Sequence, residues 1–524
     1  MTNTANRQIA RAAGTVMFAF VLSNIVGLVR QILVSKAFGT TQSLDAFYAA
    51  ATFPDLLFSL LAGGALASAF VPTFTDFLAK EDRDHAWRLA SAVTNLVILI
   101  LSVVSGLAAL FAPTIVRDVL FVLKPELDPS LQTLTVDLLR IILIAPTIFG
   151  VSGLLMSILN THQKFWMPAL APVFNWVGWI LGIFFLVPSM GIYGLAWGYV
   201  LGAILHLIVQ LPGLLKLEGR HYSFTLGIHN PAIREVARLM APRLLGVAAV
   251  QLNFVINAMI ASGQGEGSLS AINVARMLMT MPLFVIAQAI ATAALPTFAA
   301  QVSRGELGEM RSSLAATLRG VILLSLPATV GLILLREPII VMLFQRGEFD
   351  ALSTQMVSWA LLWYTAGLVG HAVVEILSRA YYALHDTKTP VIIGTIAMGL
   401  NALFSFGFAW IFNQVNWMPH GGLALANSFA TALEATALFL IMRKRLNGIE
   451  GGEILRGVIP STIAVIGMGL SVYGWMAIGD NFNVWLLAPF GIAIGGGVYF
   501  VVLLLLRVPE LTYAIDAVRR RLRR

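Results

Sequence analysis

The sequence predicts an all-α polytopic membrane protein. Fourteen transmembrane helices are expected, as two six-helix lobes related by a pseudo-two-fold along the membrane normal, plus two extra C-terminal helices. Three observations predict this. The 524 residues are 58% hydrophobic and 11% charged, with mean hydropathy +0.84, where soluble domains carry about 25% charged residues. The apolar residues gather in runs of the ~20 positions that a bilayer span requires. The chain also repeats itself: SLDAFYAA (Ser43 to Ala50) is echoed by SLSAINVA (Ser268 to Ala275) 225 positions on, and AFVPTF (Ala69 to Phe74) by AALPTF (Ala293 to Phe298) 224 positions on. An offset held to one residue over two separate matches points to internal duplication.

Arg7 and Arg11 precede an apolar run longer than twenty residues that has no small-residue cleavage site. The first span is therefore 12–37 and not a cleaved signal peptide. Cutting at turn and charge clusters places the rest of the first lobe at 44–73, 88–113, 133–160, 167–187 and 191–215. The second lobe follows at 237–261, 268–299, 313–335, 353–384, 389–412 and 420–442, and the appended pair at 455–477 and 484–506. Residues 337–345 are too short to span and are expected at the interface. The domains so defined are 1–218, 219–447 and 448–524. A third echo supports the pairing: LNTHQKFWMPALAP (Leu159 to Pro172) and YYALHDTKTP (Tyr381 to Pro390) each join the fourth and fifth helix of a lobe.

Lys and Arg set the orientation. With the N-terminus inside, 25 of the 34 fall in inner loops, helix ends and tails, so both termini are expected in the cytoplasm. The net charge of +8 is explained by this asymmetry and is no nucleic-acid footprint. The tail Arg519 to Arg524 is expected against the anionic inner leaflet, as a stop-transfer anchor or a lipid-binding patch. The absence of cysteine excludes disulfides, thiolate metal sites and a Cys nucleophile. No P-loop, HExxH or aspartate-rich metal motif occurs, and the hydrophilic loops are too short to house a catalytic site. An enzyme and an ATP-driven pump are therefore not expected, nor a metal or other cofactor.

Ionisable residues inside spans are the candidates for function, because a lone charge at the bilayer centre costs ~2.5–3.5 kcal/mol even on insertion scales. A repeat displaced by an even number of helices keeps its orientation, which puts the substrate site between the lobes. Arg30 lies ~25 Å into the first helix at 1.5 Å per residue, and Arg276 about eight residues into helix 8 of the count above, so both fall in the outer half of the membrane. Planar guanidinium donors suit a diphosphate; the competing reading is that each only holds helices together. Arg243, after Pro242, either snorkels to the interface or captures an anionic headgroup. Asp45 either caps the second helix or closes an outer gate against Arg30. Asp55, one residue after Pro54, suggests a hinge or cavity wall. Arg140 is expected to pair with Asp137, and His371, Glu375 and Arg379 to form a ladder on one helix face, as an ion-pair network or a proton relay. Glu434 has no local partner and is either a coupling carboxylate or a structural one.

The stretches LVRQILVSKAFG, LDAFYAA, FPDLL and FVPTF, then LFQRGEF (Leu343 to Phe349) and SRAYYALHDTKTP (Ser378 to Pro390), resemble the MurJ (MviN) family, the lipid II flippases of the multidrug/oligosaccharidyl-lipid/polysaccharide exporter superfamily. The resemblance runs over essentially the whole chain, including two helices beyond the paired lobes. It implies a V-shaped cavity lined by helices 1, 2, 7 and 8, with a groove at helices 13 and 14 for a polyprenyl tail. The family's cavity arginines match Arg30 and Arg276, and its helix 2 aspartate matches Asp45. Phe58 stands in place of the helix 2 arginine of the family's cationic triad, Gln31 where Asp often follows Arg30, and Ser405 where a carboxylate often follows Asn401. These departures imply a less charged cavity. They motivate the expectation that Arg243 replaces the lost charge, with Asp55 and Phe58 on the cavity face of helix 2.

The function expected on this footing is translocation of lipid II, a lipid-linked peptidoglycan precursor, to the outer leaflet by alternating access. Alternatives are flipping of another polyprenyl-diphosphate-linked saccharide, drug/cation antiport, or a non-transporting scaffold for cell-wall enzymes. An ion gradient (Na+, H+ or Cl-) or the membrane potential would supply the work, with Glu434 and Asn401 as coupling residues. The expected location is the cell inner membrane, as a monomer, with cell-wall synthesis proteins as further partners.

Overall fold

The structure is a computed structural model that describes the backbone of residues 2–61, 65–124, 128–479 and 482–508. The side chains at 2–13, 15, 61, 65, 67–68, 241–243, 245–246 and 249 lie outside the description, so the expectation for Arg243 falls outside it, as does the arginine tail. Among the described residues no strand forms, and helix covers all fourteen expected stretches. Eleven described helices are long and apolar enough to cross a membrane, and twelve if Ala351–Ala366 and Leu368–Ala383, bent by 44° at Gly367, form one span. The chain is a multi-pass membrane protein. One expectation fails: 337–345 is no separate interfacial piece but the end of a continuous helix, Leu307–Phe344. Arg336 does not interrupt it, because its guanidinium folds back onto the Ile333 carbonyl, and Pro338 is buried within it.

Two compact units arise, Met1–Ser270 and Ala271–Arg524. In the first, the helices Trp166–Phe185 and Ile192–Ile208 approach so closely that only glycine fits. A Cβ on Gly178 would lie 2.3 Å from the Gly202 Cα, and one on Gly182 2.4 Å from the Gly198 Cα. Such four-residue spacing of small residues lets helix backbones touch where lipid supplies no hydrophobic drive. Between Ala145–Thr161 and Ile192–Ile208, a buried polar knot closes: Ser152 Oγ lies 2.7 Å from His206 Nδ1 and accepts from Gln210 Nε2 at 2.7 Å.

In the second unit, Leu307–Phe344 meets two separate cores. One, around Leu318, Ile376, Tyr381 and Leu438, joins it to Leu368–Ala383 and His420–Arg445. The other, around Leu335, Met468, Val472 and Tyr499, joins it to the last two helices, Gly451–Ile478 and Val484–Leu505. Buried phenols find partners in both: Tyr381 donates to the Leu438 carbonyl at 2.9 Å and Tyr499 to that of Leu323 at 2.7 Å. The two repeated stretches form similar local structure. Gln42–Leu61 with Ala65–Ala79, and Ser268–Leu283 with Ala289–Ser303, each end in a half carrying an internal proline, Pro72 and Pro296.

Candidate functional site

Arg30 sits in the Thr2–Phe38 helix, and the helix packed beside it supplies an aromatic clamp. Its guanidinium carbon lies 4.4 Å from the Trp176 ring centroid and 4.7 Å from that of Trp179. Each face-on contact of this kind is worth ~0.5–2 kcal/mol, more when water is excluded. Nη2 donates to Gln31 Oε1 at 2.8 Å, and the Gln31 amide in turn reaches Tyr48 Oη at 3.0 Å. Gln31 thus occupies Arg30 without a negative charge. Nε is buried and has no hydrogen-bond partner. Asp55 is close enough to add a coulombic attraction, and its carboxylate accepts from the buried phenol of Tyr199. Phe58, one turn on, packs its ring on Phe149 at 4.7 Å, so it is held within its own unit by the Ala145–Thr161 helix.

Asp45 works elsewhere. It accepts from Gly267 N and Ser270 N, each at 2.7 Å, and from Ser270 Oγ at 2.6 Å. It therefore caps the first turn of Ser268–Leu283, and not a gate against Arg30. Beside it Gln42 N donates to Glu266 Oε1 at 2.9 Å. These contacts frame a small crevice that Phe121, Lys124 and Gln264 complete.

In the second unit Arg276 donates from Nη2 to Asn273 Oδ1 at 3.0 Å and interacts coulombically with Tyr364. Of the expected ladder, one rung is an ion pair: Arg379 lies 3.4 Å from Glu375 and also donates to Gln288 at 3.3 Å, whereas His371 Nε2 meets Asn427 Oδ1 on another helix at 3.0 Å. Glu434 Oε1 would be 3.2 Å from a Cβ on Gly394, so that glycine makes room for the carboxylate. Asn401, buried, is two turns further along the same helix. Among the described residues no group of three or more His, Asp or Glu is placed to hold a metal. Arg140 and Asp137 are 4.0 Å apart, and Arg140 Nε also donates to the Ala109 carbonyl at 3.2 Å.

The family model of lipid II flippase MurJ matches residues 34–490. The chain belongs to the lipid II flippase MurJ family. A MurJ flippase of Burkholderia cenocepacia is 33% identical over 440 residues, which are 83% of this chain and 84% of that protein. A solved structure of lipid II flippase MurJ in an inward closed conformation superposes with TM-score 0.78 at 26% identity, over 93% of this chain and 97% of that one. An inward-facing multidrug resistance MATE transporter shares the fold, with TM-score 0.69 at 16% identity over 81% and 94%. The aromatic clamp on Arg30 went unread in the sequence; its signal is WVGW, Trp176 and Trp179 on one helix face. The Asp45 contact also had a signal: at the 225-residue offset, position 45 corresponds to position 270, so equivalent positions of the repeat meet.

Proposed function

We propose that this chain is a flippase that carries lipid II from the cytoplasmic to the outer leaflet by alternating access. Arg30 and Arg276 each offer a guanidinium to the diphosphate of the headgroup. The observation that carries the reading is the state of Arg30: desolvated between two indoles, satisfied on one nitrogen by a neutral amide, with Nε unsatisfied. A cation merely holding helices together would be neutralised by a carboxylate in contact, since an unpaired buried charge is costly. Family membership supports lipid II as the headgroup. Glu434 and Asn401 are the proposed coupling residues, drawing on an ion gradient or on the membrane potential at ~2.3 kcal/mol per charge per 100 mV. Arg243 captures the headgroup first, in place of the cation that Phe58 does not supply, Asp55 and Phe58 line the cavity wall on helix 2 of the count above, and Asp45 caps the first turn of Ser268–Leu283. The protein acts as a monomer in the inner membrane, with both termini in the cytoplasm.

Complementation of a strain depleted of its own lipid II flippase tests this. The wild-type chain restores growth; Arg30→Ala and Arg276→Ala do not, although inserted normally, and Arg30→Lys restores it partly, because a point charge lacks paired geometry. Failure of the wild-type chain despite full insertion, or normal growth with Arg276→Ala, overturns the proposal.

A further inference from the structure

The segment His221 to Ile228 (HYSFTLGI) is a non-helical strap whose exposure alternates with a strict two-residue period. Tyr222, Phe224, Leu226 and Ile228 are exposed, Phe224 at 95% and Ile228 at 58%, while Ser223, Thr225 and Gly227 face inward. The strap is fastened to the helix Arg83–Leu110 by its inward row and by the hydroxyl of Tyr222. Ser223 N donates to Ser91 Oγ at 3.1 Å; Asn95 Nδ2 donates to the Ser223 and Thr225 carbonyls at 3.3 and 2.8 Å; Tyr222 Oη donates to Asn95 Oδ1 at 2.6 Å. Gly227, at φ +56°, comes so near that a Cβ would lie 3.1 Å from that of Ala92. The strap begins beside the charged start of this helix, where His221 faces Asp84 at 4.0 Å.

The helix gives the depth. Arg88 is its last charged residue, and Leu89 to Leu110 form an uncharged run of about 33 Å, the thickness of the hydrocarbon slab. Ser91 and Asn95 lie about 5 and 10 Å beyond Arg88 on that scale. The exposed row of the strap is therefore level with the first turns inside the slab, and further along the same helix Ile98, Leu99 and Val103 are exposed as well. Backbone at that level requires partners from protein, and the polar side chains of Ser91 and Asn95 supply them. Arg83 and Arg88, with Lys216 and Arg220 at the strap's own start, place cationic groups where anionic headgroups lie.

We infer that the strap is an in-plane membrane anchor, its Tyr222–Phe224–Leu226–Ile228 row seated in the acyl-chain boundary of the leaflet on the basic side. Its occupant is phospholipid, and it is independent of what the chain transports. The chain has no cysteine, so single cysteines at Phe224→Cys, Leu226→Cys and Glu81→Cys are labelled with an environment-sensitive fluorophore. The protein is reconstituted in phosphatidylethanolamine–phosphatidylglycerol vesicles containing lipid doxylated at carbon 5 or carbon 12. At 224 and 226 the shallow quencher acts about twofold more strongly than the deep one and aqueous iodide acts weakly, as for groups at the interface; at 81, in an exposed turn, iodide dominates. Leu226→Cys leaves Phe224 in place, so agreement of the two excludes an effect of losing the aromatic ring. Iodide quenching at 224 equal to that at 81, with no doxyl effect, overturns the inference in favour of a strap in water. Protection from both quenchers overturns it in favour of a protein cover.

Discussion

Replacing Asp45 by alanine removes one carboxylate that satisfies three donors on the segment Gly267 to Ser270. Hydrogen bonds to charged groups contribute ~1.5–3 kcal/mol each in net terms, whereas loss of a capping side chain costs ~0.5–2 kcal/mol because water takes over part of the work. The Gly267 turn has little slack: at φ +81°, a Cβ there would lie 2.3 Å from the Thr40 carbonyl oxygen. A local loss of ~2 kcal/mol is the reasonable figure, and at 1.4 kcal/mol per decade it means about 30-fold faster opening. Hydrogen–deuterium exchange of the purified protein reads it directly. Peptides covering 264–272 exchange about 30-fold faster in Asp45→Ala, about 5-fold faster in Asp45→Asn, whose amide oxygen still accepts, and peptides from 372–383 are unchanged. Glu266→Gln adds a smaller increment, since Glu266 holds Gln42 N separately. Unchanged exchange at 264–272 in Asp45→Ala would show that these amides are held by something other than this carboxylate.

Three further outcomes follow from close packing and charge. Gly178→Ala forces apart backbones now in contact at Gly202 and lowers stability by ~1–3 kcal/mol, read as a lower thermal midpoint in detergent. Gly457→Ala drives a methyl group to 2.1 Å from Arg319 Cγ; it loosens the Arg319–Glu453 pair, 3.4 Å apart, and speeds proteolysis of the last two helices. Asp386, in the exposed link before Lys388–Gln414, is held below the usual carboxylate range by the Thr389 backbone N–H first, then by its hydroxyl and by Arg445. A depressed carboxyl stabilises above the unfolded value, near pH 4, and loses that contribution as pH falls through the folded one. The midpoint gap between wild type and Asp386→Asn is therefore full at pH 7 and closes on acidification below pH ~4; a gap unchanged at low pH would refute the assignment.

Much of the fold was legible because apolar length and duplication are local, countable signals. Among the described residues helix forms in every expected stretch, and the Arg140–Asp137 pair sits one turn apart on its own helix. The Leu307–Phe344 helix defeated the reading because Arg336 and Glu337 look like a terminus, yet the arginine satisfies a carbonyl of its own helix and needs no exit to water. Side-chain partners were legible only where they shared an element. Asp45 meets Ser270 across 225 positions, and no local propensity encodes that. The Phe58–Phe149 ring contact likewise comes from another helix, which spacing along its own helix does not encode.

The same distinction explains Arg30. As a sequence feature it is a charge costing ~2.5–3.5 kcal/mol in a span. Two indole faces return ~0.5–2 kcal/mol each, and the hydrogen bond to Gln31 about 1–3 kcal/mol. These terms roughly cancel the insertion cost without a carboxylate in contact. Asp at position 31 would neutralise the cation directly and leave less of its field for an anion. Glutamine instead orients the guanidinium and leaves its charge unspent, with Asp55 acting from further off and itself engaged by Tyr199. The local charge is thus set by contacts, not by counting ionisable residues. The contacts that hold Arg30 in place are neutral ones, and the role proposed for it at a diphosphate requires that its charge be left to the ligand.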